Sequence, residues 1–305
     1  MRIFCAEPGR LRLIWILLLA LAGIAVALFA LPLLLGRGLS ALFDVWNLKA
    51  DTVARAPLWA RALYGNAGML VALVSYAALI GAGLLCSRLC GLQVRREAIR
   101  PQVLLWALPP LGATALSLAV DSLRLKNALT APQAGGAWVM LLAAALLTAL
   151  AEGIWFQRFL YGALARIRPG GGLRWIVALL FAIHAAWRPD ATPLLAVNML
   201  LLGALLLRPE GAAAGFALRR FAFLLPGLLM SAPVGSGALY ELLAVSEDWL
   251  TGGAAGIPAG SLMTAILLAI LIYENRAVLR QWLSGPKKKE QPLPYVSGKR
   301  NKRIQ

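Results

Sequence analysis

Residues 13–36 read LIWILLLALAGIAVALFALPLLLG, 24 positions from Leu13 to Gly36 without one charged side chain. At about 1.5 Å per residue a helix of that length runs about 36 Å, beyond the roughly 30 Å hydrocarbon core of a bilayer. A helix that is apolar on every side belongs in a large core or in a membrane. The run is too long for the core of a signal peptide and lacks a small-residue cleavage site, so it is read as a retained anchor. Outward from it, uncharged runs recur at Ala62–Ser87, at Pro101–Val120 with a kink expected at Pro109-Pro110, and at Ala137–Ala151. This fourth run meets Glu152 and continues through Trp155, Phe156, Phe159 and Leu160. Four more follow at Trp175–Trp187, Ala191–Leu207, Phe221–Tyr240 and Ile257–Tyr273. The expectation is an all-α, polytopic membrane protein with eight transmembrane helices.

Composition agrees. Of the 305 residues, 60% are hydrophobic and 14% charged, whereas soluble domains carry about 25% charge. Mean hydropathy is +0.75. So few charges cannot cover a soluble surface, which excludes soluble dehydrogenases, nucleic-acid modules and secreted disulfide scaffolds. The net charge of +17 comes from 30 Lys and Arg against 13 Asp and Glu. In a membrane protein such an excess gathers in cytoplasmic loops and on anionic lipid. Membrane lipids, and no nucleic acid, are therefore the expected partners. Cys86 and Cys90, spaced i,i+4 beside a basic loop, read as small apolar residues, because a reducing cytosol disfavours a disulfide.

The loop charges give the orientation. Arg2, Arg10 and Arg12 precede the first span; Arg88, Arg95, Arg96 and Arg100 fill the second loop; Arg158, Arg166, Arg168 and Arg174 lie around the fourth. Arg208, Arg219 and Arg220 occupy the sixth, and Lys287–Lys289, Lys299, Arg300, Lys302 and Arg303 the tail. The seventh loop is acidic, with Glu241, Glu247 and Asp248. Eight spans with both termini cytoplasmic put every basic segment on one side. The resulting division is spans one to three in 1–130, spans four to eight in 131–283, and a basic, disordered cytoplasmic tail in 284–305. No internal repeat is visible, which counts against transporter folds.

An ionisable group at membrane depth costs at least about 2.5–3.5 kcal/mol, so those present are functional suspects. Two lie clearly within spans. Glu152 is about 22 Å along its helix from Ala137. His184, the only histidine, is about 15 Å beyond Arg174 in the next span. Antiparallel neighbours joined by the short loop Arg166–Arg174 bring both to one level. A carboxylate and an imidazole there can hold and deprotonate a water. Equally, they can form a buried hydrogen bond that only joins two helices. For a metal, Glu152 and His184 are two ligands where catalytic zinc usually takes three, so zinc is a weak cofactor reading and no metal site is assigned.

The stretch from Ala151 to Leu164, AEGIWFQRFLYGAL, resembles the first motif of the CPBP intramembrane proteases, the family also called Abi or type II CAAX endopeptidases. The family's usual pattern is Glu-Glu-x-x-x-Arg. Leu180-Phe181-Ala182-Ile183-His184 is similar to its second motif, Phe-x-x-x-His, with the Phe one place closer. Ser236-Gly237 and the run Trp249–Gly256 resemble the loop before the last span in one bacterial branch. The resemblance covers about residue 140 to the last span. It implies that Glu152 is the water activator and His184 its partner, in an endopeptidase cleaving a membrane-associated peptide or protein. It also implies a bacterial inner membrane, to which the Ala-, Leu- and Arg-rich composition points as well.

Several family positions differ. The second glutamate is Gly153, the arginine is Gln157, and Arg158 stands where glycine is usual. The closing His-x-x-x-Asn or Asp falls on Arg220 and Leu224. Two accounts stay open. In one, Glu152 and His184 activate water while Arg220 replaces the lost histidine as oxyanion stabiliser, with Gln157 and Arg158 in support. In the other, the site has lost activity and the fold serves binding or assembly in the membrane; Arg220 then belongs with Arg208 and Arg219 at the lipid headgroups. A transporter with Glu152 as proton site would call for further buried carboxylates. Gly170–Gly172 reads as a flexible turn, Trp175, Trp187 and Trp249 as interfacial anchors, Asn198 as a helix-bridging amide, and Glu274 as a surface charge near Arg276.

Overall fold

A computed structural model describes residues 5–7, 10–11, 13–49, 52–92, 101–128, 131–167, 170, 172–187, 191–208, 211–231, 240–244, 248–252 and 256–276. The expected tail 284–305, the Ser236-Gly237 pair and residues 253–255 lie outside these, as do the loop charges Arg2, Arg12, Arg95, Arg96, Arg100, Arg168 and Glu247. The described chain is predominantly helical.

After a short hairpin, β1 (Cys5–Glu7) and β2 (Arg10–Leu11), the first apolar run is helical from end to end. It comprises α1 (Leu13–Ala25), a π turn over Val26–Ala30 and α2 (Leu31–Val45). The π turn falls where Pro32 has no N–H to give the Leu28 carbonyl, so the ladder widens there. Next come α3 (Leu58–Gly65) and α4 (Ala67–Leu89). A 3-10 stretch, Pro101–Ala107, leads into α5 (Leu108–Ala119). The expected kink at Pro109-Pro110 is this change of helix type, with both prolines in the first turn of α5, where a missing N–H is tolerated.

α6 (Ala131–Glu152), a π segment Gly153–Tyr161 and α7 (Gly162–Ile167) form one continuous helical rod. α8 (Leu173–Ala185) follows, then α9 (Pro193–Leu206). Thr192 caps α9, its hydroxyl accepting from the Leu195 N–H at 3.1 Å, with Pro193 in the first turn. α10 (Ala213–Leu229), α11 (Asp248–Thr251), a 3-10 turn Ile257–Ala259 and α12 (Ser261–Glu274) complete the helices. Contacts divide the chain within α12, into 1–268 and a second unit, 269–305. In the second unit the Arg276 guanidinium stacks 4.1 Å from the Tyr273 ring centroid.

The helical class expected from the sequence stands, and two details differ from the expectation. A small sheet accompanies the helices: β3 (Leu123–Ala128) pairs antiparallel with β5 (Tyr240–Ala244), and β4 (Met230–Ser231) lies parallel to β5, giving the order β3-β5-β4. The signal was present, since Leu123-Arg124-Leu125-Lys126 alternates with the period of two that marks a strand. The seventh apolar run is also displaced. Its helix, α10, begins eight residues before Phe221 and ends at Leu229, so Arg219 and Arg220 lie inside it.

Among the described residues three helices are long and apolar enough to cross a membrane: Ala67–Leu89, Pro101–Ala119 and Leu141–Arg166. α8, α9 and α12 are apolar but shorter. α8 shows why lipid suits this fold. Val177, Ala178, Phe181 and Ala182 are buried on one side, while Ile176, Leu179, Leu180 and Ile183 are exposed on the other. A helix apolar on both its packed and its open face has no polar face to offer water.

The rod from α6 to α7 is the hub of the first unit, with α4, α8 and α10 packed on its π segment. Trp155 donates from Nε1 to the Leu79 carbonyl of α4 at 2.8 Å. Gly83 makes this approach possible: a Cβ there would meet Ile154 at 2.8 Å and the Trp155 ring at 3.0 Å. Phe159, Phe181, Phe216 and Phe223 are fully buried around the same centre.

Candidate functional site

Glu152 ends α6 at the start of the π segment and is 5% exposed. Its carboxylate is buried. π segments often mark functional positions, because the extra residue re-aims side chains. Its two oxygens face different partners. Arg220 of α10 donates from Nε to Oε2 at 2.7 Å, and His184 Nε2 stands 3.9 Å from Oε1.

The three side chains differ in access. Those of Glu152 and Arg220 are 6% and 9% exposed, and that of His184 is 42% exposed. The imidazole is thus the open side of the group. At 3.9 Å the pair is too far apart for a direct hydrogen bond. One water placed about 2.8 Å from both atoms would be held at an angle of about 90°, so a single bridging water fits. Phe156 lies edge-on to Phe181 at 5.2 Å and beside His184 at 5.5 Å, fixing the imidazole from within.

Arg220 corrects an expectation. The loop-charge reading grouped it with Arg208 and Arg219 at the headgroups, while the alternative turned it toward Glu152; it points into the helix bundle. Its guanidinium carbon lies 5.5 Å from the Phe181 ring centroid and 5.7 Å from that of Phe223. A buried carboxylate requires a partner charge, and a guanidinium between two aromatic faces supplies one in a position where ammonium would be poorly held. Nη1 of Arg220 is buried and has no hydrogen-bond partner among the described residues. Arg219 is buried as well, donating from Nη2 to the Leu206 carbonyl of α9 at 3.4 Å.

Gly153 and Gln157, where the resemblance would expect Glu and Arg, have structural work of their own. Gly153 faces the start of α10: a Cβ there would stand 2.5 Å from the Ala213 carbonyl oxygen and 3.2 Å from Ala217. No glutamate fits at 153 unless α10 moves. Gln157 is 3% exposed and clamps the connection between α9 and α10. Its Nε2 donates to the carbonyls of Arg208 at 2.7 Å and Gly211 at 3.0 Å, and its Oε1 accepts from the Arg208 N–H at 3.1 Å. Gln157 is therefore turned away from Glu152 and onto backbone. Arg158 is half-buried, with its Nε buried and unpartnered among the described residues.

Glu152 and His184 are joined by no third His, Cys, Asp or Glu; no metal-sized group of these residues occurs among the described residues. With the Arg220 cation already on Oε2, the donor set does not fit zinc. Sequence reading named Phe181 only as part of a motif and Phe156 only as part of an apolar run, and it did not give Phe156, Phe181 and Phe223 as the walls of the site. Phe156 lies four residues after Glu152, Phe181 three before His184 and Phe223 three after Arg220, helical spacings that place each beside its charged neighbour.

Asn198 does bridge elements, as expected. Nδ2 donates to the carbonyls of Pro258 and Gly260 at 2.8 and 3.0 Å, and Oδ1 accepts from the Thr264 hydroxyl at 2.7 Å. Trp175, Trp187 and Trp249 are exposed. Cys86 and Cys90 are buried, and the Cys86 thiol faces the Leu19 carbonyl at 3.7 Å. In comparisons with family models, with curated proteins and with solved structures, nothing matches this chain.

Proposed function

We propose that this chain is an eight-span inner-membrane protein, both termini cytoplasmic, that works as a CPBP-type intramembrane endopeptidase with a rearranged site. The observation that carries the reading is the buried Glu152 carboxylate, with Arg220 on one oxygen and His184 facing the other. In this reading a water sits between Oε1 and the half-exposed imidazole. Glu152 takes its proton as the oxygen attacks the carbonyl carbon of a membrane-associated peptide. Arg220 fixes the carboxylate through Nε, and its Nη1 is the donor left over for the oxyanion that forms. His184 then stands where it can pass the proton to the leaving amine. The substrate is a peptide or protein segment in or beside the bilayer.

A second reading, a binding or assembly protein without catalysis, draws on Gly153 and Gln157. Both motif positions serve packing and backbone hydrogen bonds, and the Glu152–Arg220 pair then only ties α6 to α10. One experiment separates the two readings: purified protein in lipid bilayers, incubated with membrane-anchored peptides, prenylated ones included, with cleavage followed by mass spectrometry. The catalytic reading expects cleavage that His184→Ala abolishes while the melting temperature holds, since His184 is the exposed member. Cleavage that survives His184→Ala, or none on any peptide, supports the second reading.

A further inference from the structure

A second cationic group lies at the α4 end of the rod, apart from Glu152. Arg158, Gly162 and Arg166 follow one another at i, i+4 and i+8, so they share one helix face. That face meets the end of α4: a Cβ on Gly162 would lie 3.5 Å from Leu92, and one on Gly91 would lie 3.7 Å from Arg166 Nη1. Arg166 is occupied there, donating from Nη1 to the Cys90 carbonyl and from Nη2 to the Gly91 carbonyl, both at 2.9 Å. These bonds cap the negative end of the α4 dipole.

Arg158 has no such use. It lies inside the Leu141–Arg166 segment, its Nε is buried without an acceptor, and the nearby charge that acts on it is another cation, Arg88 in the last turn of α4. Neither Arg88 nor Arg158 has a carboxylate partner among the described residues. Arg88 lies four residues before Leu92 and Arg158 four before Gly162, the contact pair just named, so both guanidinium groups belong to the packed faces of α4 and the rod. Two like charges on such faces, one with a buried bare N–H, are costly without an anion beside them. Planar forks of this kind match phosphate oxygens.

We infer that Arg88 and Arg158 form a site for one phosphate group, that of an anionic phospholipid seated between the α4 end and the rod. It differs from diffuse attraction to the leaflet, which any surface arginine provides. The test is native mass spectrometry of the full chain carrying mixed phosphatidylglycerol and phosphatidylcholine. The expected result is retained phosphatidylglycerol in preference to phosphatidylcholine. Arg88→Gln/Arg158→Gln should weaken that retention about tenfold or more, the scale of losing charge-assisted pairs. Arg208→Gln, which removes the same charge from an exposed connection, should leave it within about the fivefold that a surface charge contributes. Arg88→Gln alone, at an exposed position, gives the same reading in a variant that leaves the core intact. Displacement of the lipid by millimolar inorganic phosphate would identify free phosphate as the occupant of the same site. Equal losses in the Arg88 and Arg208 variants, or no preference for the anionic lipid in the parent chain, would overturn the site.

Discussion

Replacing Arg220 with methionine removes the charge opposite Glu152 while keeping an apolar body between Phe181 and Phe223. Both members of the pair are nine-tenths buried or more, with a 2.7 Å hydrogen bond between them. Deleting one partner of such a pair strands the other charge and costs about 3–5 kcal/mol. His184, 3.9 Å away and 42% exposed, is too distant to replace the guanidinium bond. At about 2–4 °C per kcal/mol for a chain of this size, Arg220→Met should lower the melting temperature by about 6–20 °C. Removing both charges, as Glu152→Gln/Arg220→Met, should recover most of that loss, because a buried pair exchanged for uncharged residues of similar volume is often neutral. The assay is thermal unfolding of the purified protein in one detergent or bilayer, read by intrinsic tryptophan fluorescence. If Arg220→Met melts within about 2 °C of the parent chain, the arginine is solvated at the headgroups and the buried pair is wrong.

Other predictions follow from the packing. Gly153→Ala should destabilise by about 1–3 kcal/mol, since the new methyl meets the Ala213 carbonyl of α10; an unchanged melt would show that α10 stands further off. Asn198→Leu strips hydrogen bonds from Pro258, Gly260 and Thr264 and should cost about 1–2 kcal/mol at the modest value of polar contacts in membranes. No loss of stability in that variant would remove the bridge. Cysteines placed in the Asp248 loop and in the Lys287 tail should label from opposite sides of the membrane; labelling from one side would break the eight-span count.

The sequence made the membrane character plain because uncharged runs and loop charges are one-dimensional signals. The meeting of Glu152 and His184 was legible for the same reason: two antiparallel neighbours joined by a short loop fix relative depth. Arg220 was not. Reading a span as starting at the first uncharged residue put α10 at Phe221, although a buried arginine opposite a buried glutamate belongs inside the helix. Loop charge says where arginines gather on average, and only the facing helix shows which one turns inward. Gly153 and Gln157 looked like losses from a motif. Their other roles, close approach to Ala213 and a clamp on the Arg208–Gly211 backbone, depend on α10, whose position no local pattern encodes. The small β3-β5-β4 sheet escaped for a related reason, because pairing Leu123–Ala128 with Tyr240–Ala244 spans more than a hundred residues.

The central claim is that Glu152 activates water. The measurement that tests it most directly is the single-turnover cleavage rate of a membrane-anchored peptide by Glu152→Gln against the parent chain, in the same bilayer and below the melting temperature of both. Gln keeps the shape and an acceptor for Arg220 but cannot take a proton at neutral pH. The account predicts a fall of about 10²–10⁴-fold, the usual contribution of a general base. A Glu152→Gln rate within about twofold of the parent, far inside that range, would contradict it.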